Sequence, residues 1–304
     1  MLAWLPCETR EEAERRFGPL PSNVEVDFYP DADVVPDSID RVQFLVLPYG
    51  GHLKALDRVG EMSALQVVLT QNAGFNDVLD LIPDGVQLVN AVGVHDTSTA
   101  EMALTLALAV GRNLDRYVRA QDEGRWDRYW GDSLADRRVL ILGYGGIGKA
   151  IEARVVPFEP AGITRVARTA RDGIHGFTEL DALLPEADVV FLAAPLTEET
   201  EGILDARRLA LLPDGALVVN VGRGPLVVTE ALLAECRTGR LRAGLDVTDP
   251  EPLPADHELW RLPGVVISPH VGGTSSAFRP RSDRLIGSQL RAWAGGEELR
   301  YRVK

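Results

Sequence analysis

"RRVLILGYGGIGKA", residues 137–150, decides the fold. An apolar run, Val139–Leu142, meets three glycines, Gly143, Gly145 and Gly148, in the spacing G-x-G-x-x-G. Each glycine answers a steric need. The first permits a tight strand-to-helix turn, the second lets backbone approach a pyrophosphate, and the third lets the helix pack close to the strand. The helix N-terminus then offers unpaired N–H groups and a partial positive charge to the phosphates. Glycine turns are common, so the pattern alone is weak. Its place after a strand run and at the start of a helix makes it a dinucleotide-binding loop. Gly146 and Ile147, inside the loop, are expected cofactor contacts with the three glycines.

Working outward, short apolar runs alternate with helical patterns along the whole chain. "VEVDF" (24–28), "VQFLVL" (42–47), "LQVVLT" (65–70) and "VQLVN" (86–90) read as strands, with short helices at "HLKALDRVG" and "FNDVLDLI". Beyond the glycine loop come "ITRVA" (163–167), "DVVFLA" (188–193), "ALVVNV" (216–221), "AGLDV" (243–247) and "VVISP" (265–269). Such alternation predicts βα units and parallel sheets. One long helix is expected over 97–124, capped by Thr97 or Ser98 with Glu101 reaching back, and buried because its first half is apolar nearly all round. A last helix is expected over 282–295, after Pro280 and returning to the first unit. The fold class is therefore α/β, with two Rossmann-like or flavodoxin-like domains and a cleft between them. Residues 1–92 with 272–304 form the expected substrate domain, and 93–271 the dinucleotide-binding domain.

The bulk numbers agree with two domains. The chain has 304 residues, 45% of them hydrophobic and 25% charged, which suits a globular protein with a sizeable core. Its formal net charge of -13 argues against nucleic acid and anionic membrane as partners. The first eighteen residues, "MLAWLPCETREEAERRFG", lack the pattern of a signal peptide, and no 18-residue apolar run is present to span a membrane. Cys7 and Cys236 lie far apart without zinc spacing, so no metal site is expected and the cysteine usage suits a reducing cytoplasm.

Three polar residues stand just after strand runs. Arg223 follows in "VVNVGRGPLV", Glu251 in "GLDVTDPEPLP" and His270 in "VVISPHVGG". Ligands of open α/β sheets bind at the carboxyl ends of the strands. Arginine forks onto a carboxylate, histidine exchanges a proton near neutral pH, and a neighbouring carboxylate stabilises the imidazolium. A lone histidine after a strand is more often a loop residue. The three together, downstream of a nucleotide loop, suit reduction of an α-keto acid.

On these residues the chain resembles the D-isomer-specific 2-hydroxyacid dehydrogenase family over nearly all of its length. The resemblance is carried by the glycine loop 143–148, by Pro195, Leu196, Thr197 and Thr200, by Asn220–Gly224, by Asp246–Pro254 and by Pro269–Gly273. It implies that Arg223 binds and polarises the substrate, that Glu251 pairs with His270 as general acid-base, and that Asp246 lies near the nicotinamide carboxamide. It also places Pro195, Thr200, Val221 and Gly272 among the cofactor contacts. Gln71–Gly74 resembles the loop whose N–H groups hold the substrate carboxylate, so Asn72, Ala73 and Gly74 are expected substrate contacts, with Tyr49, Arg223 and His270. "NAVGV" (90–94), Asp96 and Pro160 depart from the family pattern. The implied activity is hydride transfer between NAD(P)H and a small 2-keto or 2-hydroxy acid such as glyoxylate or hydroxypyruvate, by a homodimer paired through about 97–130. Two alternatives stand beside it: phosphite or another small anion as substrate, and a non-enzymatic NAD(P)-sensing corepressor, a class that carries long extra tails.

Cofactor choice turns on "ITRVARTARDG" (163–173). An NAD-specific site places Asp or Glu at the end of the second strand to accept from the ribose 2′-OH. Here Arg168 stands there, followed by Thr169 and Arg171, and no acid lies between Ile163 and Arg171. Guanidinium groups suit a 2′-phosphate, so NADP(H) is the expected preference, with NAD(H) also accepted. Solvated arginines on an enzyme indifferent to the phosphate are the alternative.

Overall fold

Short runs rich in Val, Leu and Ile build the central strands, and nearly all of their side chains are buried, as in a parallel sheet covered on both faces. The computed structural model describes residues 1–304. The chain divides into two units: Met1–His95 with Ser276–Lys304, and Asp96–Ser275.

The first unit runs β1 (Leu2–Leu5), α1 (Arg10–Phe17), β2 (Glu25–Phe28), β3 (Phe44–Val46), α2 (His52–Leu56), β4 (Val67–Leu69), α3 (Asn76–Leu79) and β5 (Gln87–Val89). Its sheet has the order β2-β1-β3-β4-β5, parallel throughout. This is the flavodoxin-like order. β1 and α1 were absent from the expected elements. "LAWL" is too short to show a period, and α1 is mostly charged. The helix is defined by its ends: Thr9 Oγ1 accepts from Glu12 N at 3.2 Å, and Gly18 closes it at φ 82°.

The second unit runs α4 (Asp96–Gly111), α5 (Leu114–Asp122), β6 (Arg138–Leu142), α6 (Gly146–Val155), β7 (Gly162–Ala167), β8 (His175–Gly176), α7 (Leu180–Leu183), β9 (Val189–Leu192), α8 (Ala206–Leu209), β10 (Leu217–Asn220), α9 (Thr229–Arg237), β11 (Arg242–Leu245) and β12 (Val265–Ile267). Its order is β12-β11-β10-β9-β6-β7-β8, again parallel. Counted from β6, that is the Rossmann order with one more strand at the far edge. The strand order reverses between β6 and β9, which makes that pair of strand ends the switch point.

Two helix expectations need correction. The stretch 97–124 is two helices, because Asn113 adopts φ 57° and breaks the ladder. Asn tolerates this left-handed conformation better than most residues. The first helix also starts one residue early, so Thr97 and Ser98 lie inside it, and Ser98 Oγ bonds Ser275 Oγ at 2.6 Å instead of capping. α4 packs against α6, β10, β11 and β12 of its own unit, which accounts for its apolar surround. The final helix, α10 (Phe278–Ala294), begins before Pro280 and packs on α1 of the first unit. Proline is tolerated there because first-turn N–H groups have no helical acceptor.

Candidate active site

The glycine loop has the shape its sequence requires. Gly143 sits at φ 103°, and a Cβ there would overlap the backbone of Ala194, which follows β9. A Cβ on Gly148 would overlap the Gly143 carbonyl, so the start of α6 lies against the end of β6. At Gly145, by contrast, nothing lies within 4 Å of a built Cβ. The loop is closed toward the sheet and open outward at Gly145, while the Asp96 carboxylate lies against Gly146 at the start of α6. Gly146, Ile147 and Gly148 open α6, and their N–H groups precede the first helical acceptor. This is the cradle that a pyrophosphate fills, so the residues fit a dinucleotide.

Flanking loops converge on the same end of this sheet. After β9, Thr200 is 2% exposed and ties the turn from Pro195: its Oγ1 donates to Pro195 O at 2.7 Å and accepts from Thr197 N at 2.8 Å. After β7, Arg168, Thr169 and Arg171 are all exposed. Arg171 reaches back to the glycine loop, donating from Nη2 to Tyr144 O at 3.3 Å and from Nη1 to Thr169 O at 3.4 Å. Arg168 is forked onto Glu199, Nε to Oε2 at 2.7 Å and Nη2 to Oε1 at 2.8 Å. No reading of 163–173 could show that pair, because Glu199 lies on the turn after β9.

The three polar strand-end residues follow the neighbouring strands β10, β11 and β12. Val221 leaves β10 buried, and Arg223 comes next in an extended backbone at φ -144°. Asn220, 1% exposed, holds that turn: its Nδ2 donates to Arg223 O at 2.9 Å and its Oδ1 accepts from Gly222 N at 3.1 Å. Arg223 Nη1 donates to Gly222 O at 2.8 Å, and its side chain remains partly exposed. His270 lies 2.5 Å, Nδ1 to Oε1, from Glu251. Nε2 is thereby left as the nitrogen for a reacting atom.

His270 is at φ 53°, a left-handed conformation that costs a histidine energy and marks an over-determined position. Its neighbours explain what holds it. The Asp246 carboxylate, 2% exposed, accepts from Ser268 Oγ at 2.6 Å, Val271 N at 3.0 Å and Gly272 N at 2.8 Å. The Asp246 carbonyl accepts from His270 N at 2.7 Å. Asp246 therefore anchors the whole loop that carries His270. The sequence reading had only a cofactor role for it.

In the other unit, the loop after β4 is fixed through its carbonyls. Gln71 O accepts from His95 Nε2 at 2.8 Å, Asn72 O from Ala91 N at 2.9 Å, and Ala73 O from Asn90 Nδ2 at 2.7 Å. In a trans peptide the N–H points opposite to the C=O. The Ala73 and Gly74 N–H groups therefore point away from Ala91 and Asn90. The Gln71 side chain is pinned by Leu47 O at 2.9 Å and Ser282 Oγ at 2.8 Å. Tyr49 packs on Phe278, ring centroids 4.1 Å apart, and both face His95. Phe278 is not among the expected residues, and His52, which has no partner pattern in the sequence, has its Nε2 2.7 Å from Asp77 Oδ2. Their partners lie too far along the chain to form a motif.

Comparison with known proteins bears on the family and the fold. Residues 104–272 match the family described as D-isomer specific 2-hydroxyacid dehydrogenase, NAD binding domain. A glyoxylate reductase of Thermococcus onnurineus is 31% identical, over 95% of this chain and 92% of its own. A hydroxypyruvate reductase of Thermotoga maritima is 30% identical, over 92% and 90%. An NADPH-dependent glyoxylate/hydroxypyruvate reductase of Sinorhizobium meliloti, solved with NADP and sulfate, superimposes with a TM-score of 0.81 at 26% identity, covering 100% of this chain and 98% of that one.

Proposed function

Because the chain belongs to the D-isomer specific 2-hydroxyacid dehydrogenase family, we propose that it reduces glyoxylate, hydroxypyruvate or a closely similar 2-keto acid. It is an NAD(P)-dependent oxidoreductase by that membership. The observation that carries the mechanism is the pairing of His270 Nδ1 with Glu251 at 2.5 Å. When bound, the nicotinamide supplies the hydride to the carbonyl carbon. His270 gives a proton from Nε2 to the carbonyl oxygen, and Glu251 stabilises the imidazolium and fixes its orientation. Arg223 bridges carboxylate and carbonyl oxygen and stabilises the charge that develops there. Ala73 and Gly74 N–H groups hold the substrate carboxylate, with Asn72 and Tyr49 as neighbours. Gly143, Gly145, Gly146, Ile147, Pro195, Thr200, Val221, Asp246 and Gly272 are the proposed cofactor contacts, and Arg168, Thr169 and Arg171 favour NADP(H).

The test is turnover with glyoxylate, hydroxypyruvate, pyruvate and phenylpyruvate, with phosphite run in the oxidative direction. Glyoxylate and hydroxypyruvate should give the highest kcat/KM. Turnover of phosphite alone would replace the substrate class, and no turnover at all would favour a cofactor-sensing protein. Arg223→Lys is expected to lower kcat/KM by about 10- to 100-fold, because a lysine cannot fork and one charge-assisted bond is lost. Unchanged kcat and KM in that variant would make Arg223 a purely structural residue.

A homodimer is part of the proposal, with its contact moved from α4 to α5 and the segment after it. Leu114 and Val118 on α5 are each 51% exposed, Trp126 is 88% exposed and Trp130 is fully exposed at 101%. Apolar side chains clustered at a surface in this way mark an interaction site. Light scattering at micromolar protein should give about twice the chain mass of 33.1 kDa. A mass equal to one chain would reject the dimer. No helix is long and apolar enough to cross a membrane. Residence in the reducing cytoplasm rests on Cys7 and Cys236 being free and buried.

A further inference from the structure

The carboxylate missing from the end of β7 is present, delivered by another loop. Glu199 grips both faces of the Arg168 fork, at 2.7 and 2.8 Å. The grip is specific in geometry: two parallel N–H to oxygen bonds, the arrangement a guanidinium otherwise makes with a phosphate. Glu199 is also well placed to persist there. It stands on the short turn from Pro195 to Thr200, and the buried Thr200 hydroxyl holds that turn at Pro195 and Thr197. Arg171, the second cation of the strand end, is engaged with backbone carbonyls only.

We propose that Glu199 is a specificity-determining residue that competes with the 2′-phosphate of NADP for Arg168. This rests on the reading of Arg168 as the phosphate contact. The chemistry is an exchange of one anion for another on the same two N–H groups. A ribose 2′-phosphate is more highly charged than a carboxylate, and Arg168 and Glu199 are both largely solvent-exposed, at 73% and 50% of their side chains. Exposed ion pairs are weak, so the phosphate displaces Glu199. The displaced carboxylate then lies beside the phosphate and repels it. The apparent affinity for a 2′-phosphorylated nucleotide is thus reduced by the fraction of Arg168 held by Glu199. A cofactor without the phosphate leaves the pair intact and incurs no such loss. Glu199 therefore narrows the gap between NADPH and NADH that Arg168 opens.

The test is binding, measured by calorimetry with 2′,5′-ADP and 5′-AMP and by fluorescence titration with NADPH and NADH. Glu199→Gln should tighten 2′,5′-ADP and NADPH by about 3- to 5-fold, the range of one exposed ion pair. It should leave 5′-AMP and NADH within about 2-fold, and the gain should shrink in high salt because exposed charges are screened. Glu199→Ala should behave the same way. In an Arg168→Ala background, Glu199→Gln should give less than half of its gain, because the contested group is gone. If Arg168→Ala weakens 2′,5′-ADP while Glu199→Gln leaves it unchanged or weaker, the competition is overturned and the phosphate contact stands. If Arg168→Ala leaves 2′,5′-ADP unchanged, the phosphate reading itself fails. Weaker 5′-AMP and NADH binding in Glu199→Gln would instead make Glu199 a ribose ligand and overturn the proposal.

Discussion

Replacing His270 by alanine is expected to lower keto-acid reduction by about 10²-fold or more while NADPH still binds, the loss typical of a missing general acid. The expectation follows from one nitrogen being committed to Glu251 at 2.5 Å while the ring stays exposed at the end of β12. Glu251→Ala should give a loss of the same order, since the ring then lacks both its orienting acceptor and the charge opposite it. His270 occupies a left-handed backbone, at φ 53°, which alanine adopts at some cost. His270→Asn is therefore the companion variant, because asparagine tolerates that conformation and cannot act as the acid. The measurement is kcat with each keto acid, beside NADPH affinity by fluorescence. Near-normal turnover in both His270 variants would remove His270 from the mechanism. A loss of NADPH binding in parallel with activity would point instead to collapse of the loop that Asp246 anchors.

Arg168→Ala is expected to shift the ratio of kcat/KM for NADPH to that for NADH by about 10- to 100-fold toward NADH, as loss of a charge-assisted phosphate contact requires. The wild type should prefer NADPH. Arg168 is exposed at the end of β7, with Thr169 and Arg171 on the same turn, and only Glu199 engages it. Arg171→Ala should give a smaller shift in the same direction, because Arg171 is held at 3.3 and 3.4 Å by backbone carbonyls and lies beside the glycine loop. A wild type that prefers NADH, or an Arg168→Ala ratio equal to that of wild type, would mean that this strand end does not read the phosphate.

What could be read directly from the residues was what depends on near neighbours in the chain. The run 139–148 specifies a strand, a turn and a helix within ten residues, because its glycines answer steric needs created by the adjoining backbone. Arg223, Glu251 and His270 were legible because each stands in the loop that follows a strand run, and a parallel sheet brings such strand ends to one edge. Asn113 shows where that kind of reading stops. The apolar pattern runs on through the break, and only the left-handed backbone at φ 57° separates α4 from α5. "LAWL" shows the same limit from the other side: β1 is a strand because β2 and β3 pair with it, and four residues carry no period of their own. The pairings between loops are longer in range still. Glu199 meets Arg168 from 31 residues away, Asp77 meets His52 from 25, and Asp246 holds Gly272 from 26. Local sterics act through a few bonds and leave a pattern in the sequence. An ion pair or hydrogen bond between loops needs only two polar side chains at the right place in space, and the packed sheets, not the spacing along the chain, put them there.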